Sequence, residues 1–473
     1  MSSPNIAFAQ IPASIRKPGK YFEYNNALAV RSLPTNLQRV LIVAQMLAAG
    51  AAVVNTVVQV FDSEQAAGLF GRGSQAHRMV RAALAANRYA QLFVLPVADA
   101  GGGVAATATL TMAGTATSAG AIYVNIAGTD LVVPVAVGDT AAAVATAVNL
   151  ALALLVNLPT TSAVAGAVVT HTQRNKGLVG NAHRHTASST AAGLTATAMA
   201  FTGGLNDPTL ATPLANAFTG GHEILVVPYN LGTALTDLRT HLNSVSGPME
   251  RRPAIGVYAS GGSLSAATTQ AGTLNSERMT AALLKNTVTA AEEIAAAYAT
   301  VLAFEEDPAR PLNTLVLTGI APPAIADRLS RTEQETCLNN GVTPLEWGPG
   351  DVVQIVRAIS TYTLNPVSVL DVSWLDVTTI RTMDYTMKAL RTRIELRFPR
   401  DKLSARTADR VRSELLDVLY KLEELEIVEN VNLWKTDLVV ERDSQDNNRL
   451  NAKIPVDVVN GLHIFAGRLD LIL

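Results

Sequence analysis

Apolar residues in the last quarter of the chain recur at helical spacing. From Trp374 they return every three or four positions, which predicts an amphipathic helix over roughly 373–396. Pro399 ends this helix, because proline cannot continue the hydrogen-bonded ladder. Ser404 is then a suitable N-cap for a second helix of the same kind, over roughly 404–425.

Two strand-like segments follow, at 433–442 and 450–459. The polar run between them, 443–448, is rich in turn-forming residues and suits a hairpin loop. The helices and strands together predict a small α+β domain, which we place at 346–460.

The closing segment, 461–473, alternates apolar residues in the manner of a strand. Gly467 shifts the alternation by one position, as a bulge would. The two alternating sets are Leu462, Ile464 and Ala466 before it and Leu469, Leu471 and Leu473 after it. Unpaired, such a strand would promote aggregation, so we expect it to pair with a sheet edge. The turn signal at Asn460-Gly461 favours the hairpin of the same chain, and the edge of another chain is the alternative.

Upstream, strand-like and helix-like patterns alternate along the chain. Strands are predicted at 39–44, 91–96, 223–228 and 254–258, and helices at 76–87, 235–245, 290–304 and 324–338. This alternation predicts a layered α/β core domain with a partly parallel sheet, formed by 36–99 and 205–345.

The stretch 100–204 interrupts the alternation and has a different composition. Ala, Thr, Gly and Val dominate, and the charged residues are Asp130, Asp139, Arg174, Lys176 and Arg184. Strands are predicted near 105–113, 121–127, 130–137, 165–173 and 194–201, and a helix over 140–155. Glycines at 101–103 and 203–204 are expected to act as flexible joints. We therefore predict an inserted, peripheral α+β domain; disorder is disfavoured because the aliphatic content supports burial.

The first 35 residues show no helical periodicity. They contain Pro12, Pro18 and Pro34, and the β-prone run 21–24. We predict an extended N-terminal arm over 1–35, and the alternative is an ordinary edge strand of the first domain.

Composition narrows the class of protein. The chain has 473 residues, 48% of them hydrophobic, which is enough for two to four buried cores. Lys and Arg number 37 against 39 Asp and Glu, so no net charge favours nucleic acid or acidic membranes. One cysteine cannot form an intramolecular disulfide, and no signal peptide or membrane-spanning segment is recognisable. We expect a soluble protein made in a cytoplasm.

Charge is concentrated in the last part of the chain. Residues 371–473 hold 16 Lys or Arg and 18 Asp or Glu. Mixed signs of this kind fit a solvated face with ion pairs and, equally well, an electrostatic interface to another protein.

Candidate catalytic motifs are weak. Gly71-Arg-Gly73 lacks the full dinucleotide fingerprint and follows a helical stretch, so we interpret it as a loop, and no P-loop motif occurs. His183 and His185, with His171 nearby in sequence, have no acidic or cysteine partner at ligand spacing and are predicted to lie in a solvated loop. Glu292-Glu293 and Glu305-Glu306 are interpreted as exposed charge near helix ends, and Cys337 as a buried small apolar residue. Two hypotheses remain: a structural polymer subunit, and an α/β enzyme, hydrolase-like or nucleotide-binding, with an unrecognised site.

The run from Trp374 to the C-terminus resembles the C-terminal domain of contractile phage tail sheath proteins, in particular those of Mu-like tails. The opening run 11–23 (IPASIRKPGKYFE) and the run 28–34 (LAVRSLP) resemble the start of the same family. The resemblance spans essentially the whole chain, and it favours the polymer hypothesis. It implies α/β and α+β domains with extended terminal arms, a non-enzymatic role and no cofactor.

The resemblance also implies partners and a location. Such proteins polymerise as stacked rings around an inner tail tube and contract to drive the tube through the host envelope during genome delivery. Their partners are further copies of the sheath protein, the tail tube protein, and baseplate and tail terminator proteins, without nucleic acid or direct membrane insertion. The location is the virion tail, after assembly in the host cytoplasm.

Two sets of residues follow from the resemblance. Terminal arms of neighbouring sheath subunits complete the sheet of the C-terminal domain, which favours exchange of the closing strand between chains. The predicted arm residues are Tyr21, Phe22, Tyr24, Leu462, Ile464, Leu469 and Leu471. The C-terminal domain is innermost in the family, so Arg381, Lys388 and Arg391, on the polar side of the first predicted C-terminal helix, are the predicted tube-facing residues.

Overall fold

The structure, a computed structural model, describes residues 16–22 and 33–472. The first elements are β1 (Arg39–Gln45), β2 (Val58–Val60), α1 (Ser63–Phe70), α2 (Gln75–Ala86) and β3 (Gln91–Val97). The insertion then contains β4 (Thr107–Gly114), β5 (Gly120–Ile126), β6 (Thr129–Val135), α3 (Ala141–Leu154), β7 (Thr160–Ala165), β8 (Val168–Gln173), β9 (His185–Ser189) and β10 (Leu194–Ala198).

The chain continues with α4 (Ala211–Ala217), β11 (Ile224–Val226), α5 (Thr233–Val245), β12 (Ile255–Ser260), α6 (Leu264–Leu274), β13 (Met279–Leu283), α7 (Ala291–Phe304), α8 (Arg331–Asn339), β14 (Thr343–Gly348) and β15 (Val352–Ile355). The last elements are α9 (Val377–Arg397), α10 (Ala405–Glu424), β16 (Val428–Glu429), α11 (Val431–Trp434), β17 (Val439–Arg442), β18 (Leu450–Lys453) and β19 (Asp457–Val458). Short 3₁₀ turns lie at Val179–Ala182 and Ile325–Asp327.

An eight-stranded sheet forms the centre, in the order β15-β14-β13-β12-β11-β1-β3-β2. The six inner strands run parallel, and β15 and β2 pair antiparallel at the two edges. Because helices cover both faces, β1 is almost entirely buried and reads as a continuous apolar run. The predicted layered α/β architecture is confirmed.

The helices on the two faces of this sheet pack through different side chains, alanines on one face and leucines on the other. On one face, α2 and α7 pack together, and the alanines of α7 at 295–297 are fully buried, which lets the backbones approach closely. On the other face, Leu235, Leu238 and Leu242 of α5 pack over Tyr258. The sequence pattern did not reveal β13, whose residues Met279–Leu283 carry no strand periodicity.

The insertion folds into two antiparallel sheets, β10-β4-β8-β7 and β6-β5-β9. Helix α3 packs on them through Val144, Val148 and Leu152, and the Thr140 hydroxyl caps its N-terminus. The sequence pattern missed β9 and did not separate β7 from β8.

The two crossings between the core and the insertion pair with each other. Val104 and Leu205 form an antiparallel bridge, with N···O distances of 3.0 and 3.1 Å. The Asn206 side chain donates to the Gly102 carbonyl at 2.9 Å. The glycine segments that we expected to be flexible joints are therefore hydrogen-bonded, because the chain enters and leaves at adjacent points.

Both predicted C-terminal helices are present as α9 and α10. Ser404 caps α10, and its backbone N–H donates to the Thr407 hydroxyl at 3.1 Å. Val411, Leu415 and Leu419 of α10 bury against a cluster that also contains residues of α9.

The predicted hairpin forms as β17 and β18, but 433–442 is not one strand. Its start belongs to the short helix α11. β14 and β15 belong to the central sheet, which places the end of the core beyond the boundary predicted at 346. Among the residues that the structure describes, no helix is both long enough and apolar enough to cross a membrane.

Candidate assembly surfaces

The closing segment has no strand partner within its own chain. Residues 460–472 form neither helix nor strand, so no pairing with the β17–β18 hairpin is present in the described structure. Of the predicted arm residues, Leu462 and Ile464 are each 79% exposed, Leu471 84% and Leu469 102%. The pairing within one chain that the Asn460-Gly461 turn favoured is wrong for this structure, and a row of aliphatic side chains is left in solvent.

The closing segment is nevertheless anchored at its root. The Asn313 amide donates to Nδ1 of His463 at 3.0 Å, and Nε2 of His463 lies 3.6 Å from Asp376. Asp376 is held in turn by both guanidinium arms of Arg357, at 2.8 Å each. Burial lowers the pKa of His463, so its neutral form is favoured at this anchor. The segment is thus fixed where it leaves the core and solvated beyond that point.

The base of the N-terminal arm is fastened along α9. The Tyr385 hydroxyl donates to the Pro34 carbonyl at 2.9 Å, and Lys388 Nζ donates to the Thr35 carbonyl at 3.0 Å. Leu33 packs against the core of the two C-terminal helices. This base is therefore part of the contact between the core and the C-terminal helices.

The predicted arm residues before this base differ in how far the structure describes them. Tyr21 is 41% and Phe22 91% exposed, in a stretch without regular structure. Tyr24 lies outside the described residues.

The three predicted tube-facing cations of α9 do not share one environment. Arg381 is only 5% exposed, and its guanidinium donates to the Glu305 carbonyl, so placing it on the polar side of the helix was wrong. The reason is tertiary: the loop after α7 covers this end of α9. Lys388 and Arg391 are half-buried, and Arg391 donates to the Arg251 carbonyl at 3.1 Å.

The small sheets of the C-terminal part have free edges. β17 pairs with β18 and β16 with β19, each as a two-stranded sheet in the described structure. A two-stranded sheet is marginal by itself and gains stability from a further strand. These edges can accept a strand by main-chain hydrogen bonding.

The acidic pair of α7 is buried, contrary to the expectation of exposed charge. Glu292 and Glu293 are 1% and 7% exposed, and Arg78 donates to each at 3.1 Å. His183 Nε2 lies 2.8 Å from Glu292, so the predicted solvated loop is wrong as well. Burial opposes ionisation of Glu292, but the neighbouring His183 and Arg78 outweigh it and lower its pKa. The sequence could not show this cluster, since its members lie far apart along the chain.

The remaining candidate groups, two histidines and the cysteine, are also buried. His171 and His185 are buried in the insertion with their rings 4.8 Å apart, again not in a solvated loop. Cys337 is fully buried, and burial raises the pKa of its thiol to about 11.

The glycine motif and the second acidic pair lie in a turn and near a helix end. Gly71 and Gly73 lie in the turn between α1 and α2, with φ of 86° and 79°. Glu305 is half-buried and pairs with Arg310 at 3.7 Å, and Glu306 is exposed. No cluster of three or more His, Cys, Asp or Glu that could hold a metal occurs in the part of the chain that the structure describes.

Comparison with known proteins identifies the family. The phage tail sheath protein central domain matches residues 203–361, and the phage tail sheath C-terminal domain matches residues 370–472. The Mu-like prophage FluMu tail sheath protein of Haemophilus influenzae is 33% identical over 487 residues, which cover 99% of this chain and 100% of that protein. The chain belongs to the phage tail sheath family.

Solved sheath structures share the fold of this tail sheath chain. The sheath tail protein of Desulfitobacterium hafniense superposes with a TM-score of 0.51 at 13% identity, covering 94% of this chain and 97% of that one. The sheath of an extracellular contractile injection system, in its contracted state, superposes with a TM-score of 0.51 at 11% identity, covering 97% and 98%. The chain is a structural subunit of a contractile tail sheath and a component of the virion tail.

Proposed function

We propose that sheath subunits are linked by exchange of the closing strand, residues 461–473. The observation that carries this proposal is the coexistence, in one chain, of a solvated aliphatic segment and small sheets with free edges. In strand exchange, main-chain hydrogen bonds supply affinity and alternate side chains fix the register. Gly467 can bend the donated strand where its alternation shifts.

The N-terminal arm takes part in the same linkage. Its base is held on α9 by the hydrogen bonds to Pro34 and Thr35, and the described residues 16–22 before it are exposed. Tyr21 and Phe22 supply exposed aromatic surface for that contact. Links of this kind keep rings connected while each subunit rotates as a largely rigid body during contraction.

The tail tube contact is assigned to the solvent side of α9. Lys388 and Arg391 are its half-buried cations, whereas Arg381 is a buried packing residue. Exposed charge pairs contribute only about 0–1 kcal/mol each, but the contact repeats at every subunit.

The division of labour among domains follows from these assignments. The core, 36–99 with 205–345, carries the main body, the insertion at 100–204 is peripheral, and the C-terminal part provides the exchanged strands. Besides the tube, the ends of the polymer meet baseplate and tail terminator proteins. The role needs no cofactor and no catalytic group, since the energy of contraction is stored in the lattice.

Negative-stain microscopy of the purified chain tests the proposal. Hollow striated tubes are expected, and adding tail tube protein should give filled ones. Discrete particles at all concentrations, with or without tube protein, would contradict assembly by strand exchange.

A further inference from the structure

A cavity of about 210 Å³ lies where the core, the base of the N-terminal arm and α9 meet, and we call it the junction cavity. Six cationic side chains line it: Arg39, Arg251, Arg252, Arg381, Lys388 and Arg391. Two carboxylates line it as well, those of Glu223 and Asp384. The lining therefore carries a clear excess of positive charge.

Both lining carboxylates already have cationic partners. Glu223 pairs with Arg39 at 3.3 Å. Asp384 accepts both arms of Arg278, at 2.9 and 3.0 Å, and Arg278 is not part of the lining. Neither carboxylate is thus available to neutralise the cations of α9.

Two of the other arginines are paired outside the cavity. Arg251 contacts Glu395 at 3.5 Å, and Arg252 contacts Glu250. Arg381, Lys388 and Arg391 instead donate to main-chain carbonyls. These three cations have no ion pair among the described residues, so their charge remains uncompensated within the lining.

The burial of Arg381 adds to the free-energy cost of the excess positive charge. Its Nε and Nη1 atoms are buried and have no hydrogen-bond partner in the described structure. Burial lowers its pKa to about 10, against smaller opposite effects of Glu305 and Asp307. A buried cation with open donors is stabilised strongly by an anion that reaches it.

The three cations form a stripe along α9. They occupy positions i, i+7 and i+10 of the helix, which lie on one face and span about 15 Å at 1.5 Å per residue. Guanidinium groups match phosphate oxygens in pairs. An elongated anion with several charges fits this stripe better than a single compact ion.

We propose that the junction cavity binds a linear phosphate chain of about triphosphate size. Binding would join the core, the arm base and α9 in one subunit, a property beyond the sheath role. Since the anion would cover Lys388 and Arg391, it would also compete with any acidic partner of α9.

Isothermal titration of the purified full-length chain with sodium tripolyphosphate tests this proposal, with sodium chloride holding the ionic strength constant. We expect saturable binding with one anion per chain, tighter than for inorganic phosphate. The double variant Lys388→Gln/Arg391→Gln should bind at least about tenfold more weakly. Arg410→Gln, which removes an exposed cation of α10 outside the cavity, should bind as the parent does.

Three results would overturn the proposal. They are no saturable heat above that of sodium chloride, unchanged affinity in the double variant, and equal weakening in Arg410→Gln. Arg381→Lys keeps the charge but removes the planar fork, so its affinity should also fall. Thermal unfolding of each variant, without anion, verifies that the fold is retained.

Discussion

Nε2 of His183 lies 2.8 Å from Oε1 of Glu292, across the boundary between the insertion and the core. Glu292 also accepts from Arg78, and all three side chains are buried. A buried charge that loses a partner destabilises the fold. The ionised Glu292 carboxylate of α7 is therefore fully stabilised only while the insertion holds His183 against it. The insertion is attached to the core by a buried polar contact as well as by the chain.

Replacement of His183 tests this coupling. His183→Ala should lower the free energy of unfolding by about 1–3 kcal/mol, since the buried Oε1 of Glu292 keeps Arg78 but loses His183 as its second partner. Urea denaturation measures the change. In a double-mutant cycle, Glu292→Gln should make the same replacement much milder. An equal cost in both backgrounds would show that the loss comes from ring packing.

Deletion of the insertion gives a second prediction. A chain lacking 101–204, closed with a short Gly/Ser linker, should still fold and polymerise. It should melt at a lower temperature than the parent, because Glu292 loses His183 and part of the core surface becomes solvated. Calorimetry and negative-stain microscopy provide the measurements. A soluble chain that forms no tubes would show that the insertion makes lattice contacts.

Charge reversal on α9 tests two roles separately, contact with the tail tube for Lys388 and Arg391 and packing within the subunit for Arg381. Lys388→Glu/Arg391→Glu should weaken co-sedimentation with tail tube protein and make it more salt-sensitive, and it should destabilise the subunit less than Arg381→Glu does, because both residues are only half-buried. Arg381→Glu should instead destabilise the subunit, since it places a carboxylate beside the Glu305 carbonyl. Arg410→Glu serves as the control on the neighbouring helix. Unchanged sedimentation of the double variant would remove α9 from the tube contact.

Periodicity in the sequence correctly predicted the elements that bury one face and expose the other. The helices predicted over 373–396 and 404–425 are α9 and α10, because each has one apolar face and clear end signals. The alternation of strands and helices likewise predicted the layered core. Short inner strands such as β13 were not predicted, because a strand buried on both faces has no alternation of apolar and polar residues.

Long-range contacts explain what sequence reasoning missed at the candidate surfaces. Glu292 is charged and lies at a helix start, which indicates exposure, yet Arg78 reaches it from more than 200 residues away. Arg381 follows the helical pattern of a polar face, but a loop of the core covers it. The closing segment has the alternation of a strand, and a strand forms only where an edge is offered.

Acid should destabilise the insertion through the buried side chain of His171. Burial lowers the pKa of His171 from its ordinary value of 6.5 to about 4, so the folded state resists a proton that the unfolded state accepts. Stability from this group is complete above pH 6.5 and is lost as the pH falls towards 4, by about 3 kcal/mol in total. Melting temperatures measured between pH 7 and pH 4 should fall less steeply in His171→Gln. Parallel pH profiles for the two proteins would contradict this assignment.

Truncation of the closing segment decides whose sheet it joins. Removing 464–473 leaves the His463 anchor on Asn313 intact and deletes solvated aliphatic residues, of which Ile464 and Leu471 are 79% and 84% exposed. Since these side chains bury little surface within their own subunit, we expect a folded monomer whose melting temperature is close to that of the parent. If the segment completes a neighbour's sheet, the same monomer should form no tubes.

A matched change separates strand pairing from simple loss of apolar surface. Leu469→Pro keeps the length and most of the apolar surface but prevents main-chain pairing at one position, so it should also impair tube formation. Leu469→Val, which retains the backbone donor, should assemble normally. Removing 1–27 should likewise leave a folded chain that does not form tubes. If either truncation instead unfolds the C-terminal helices of an isolated monomer, the arm belongs to its own subunit, and the linkage between rings must lie on another surface.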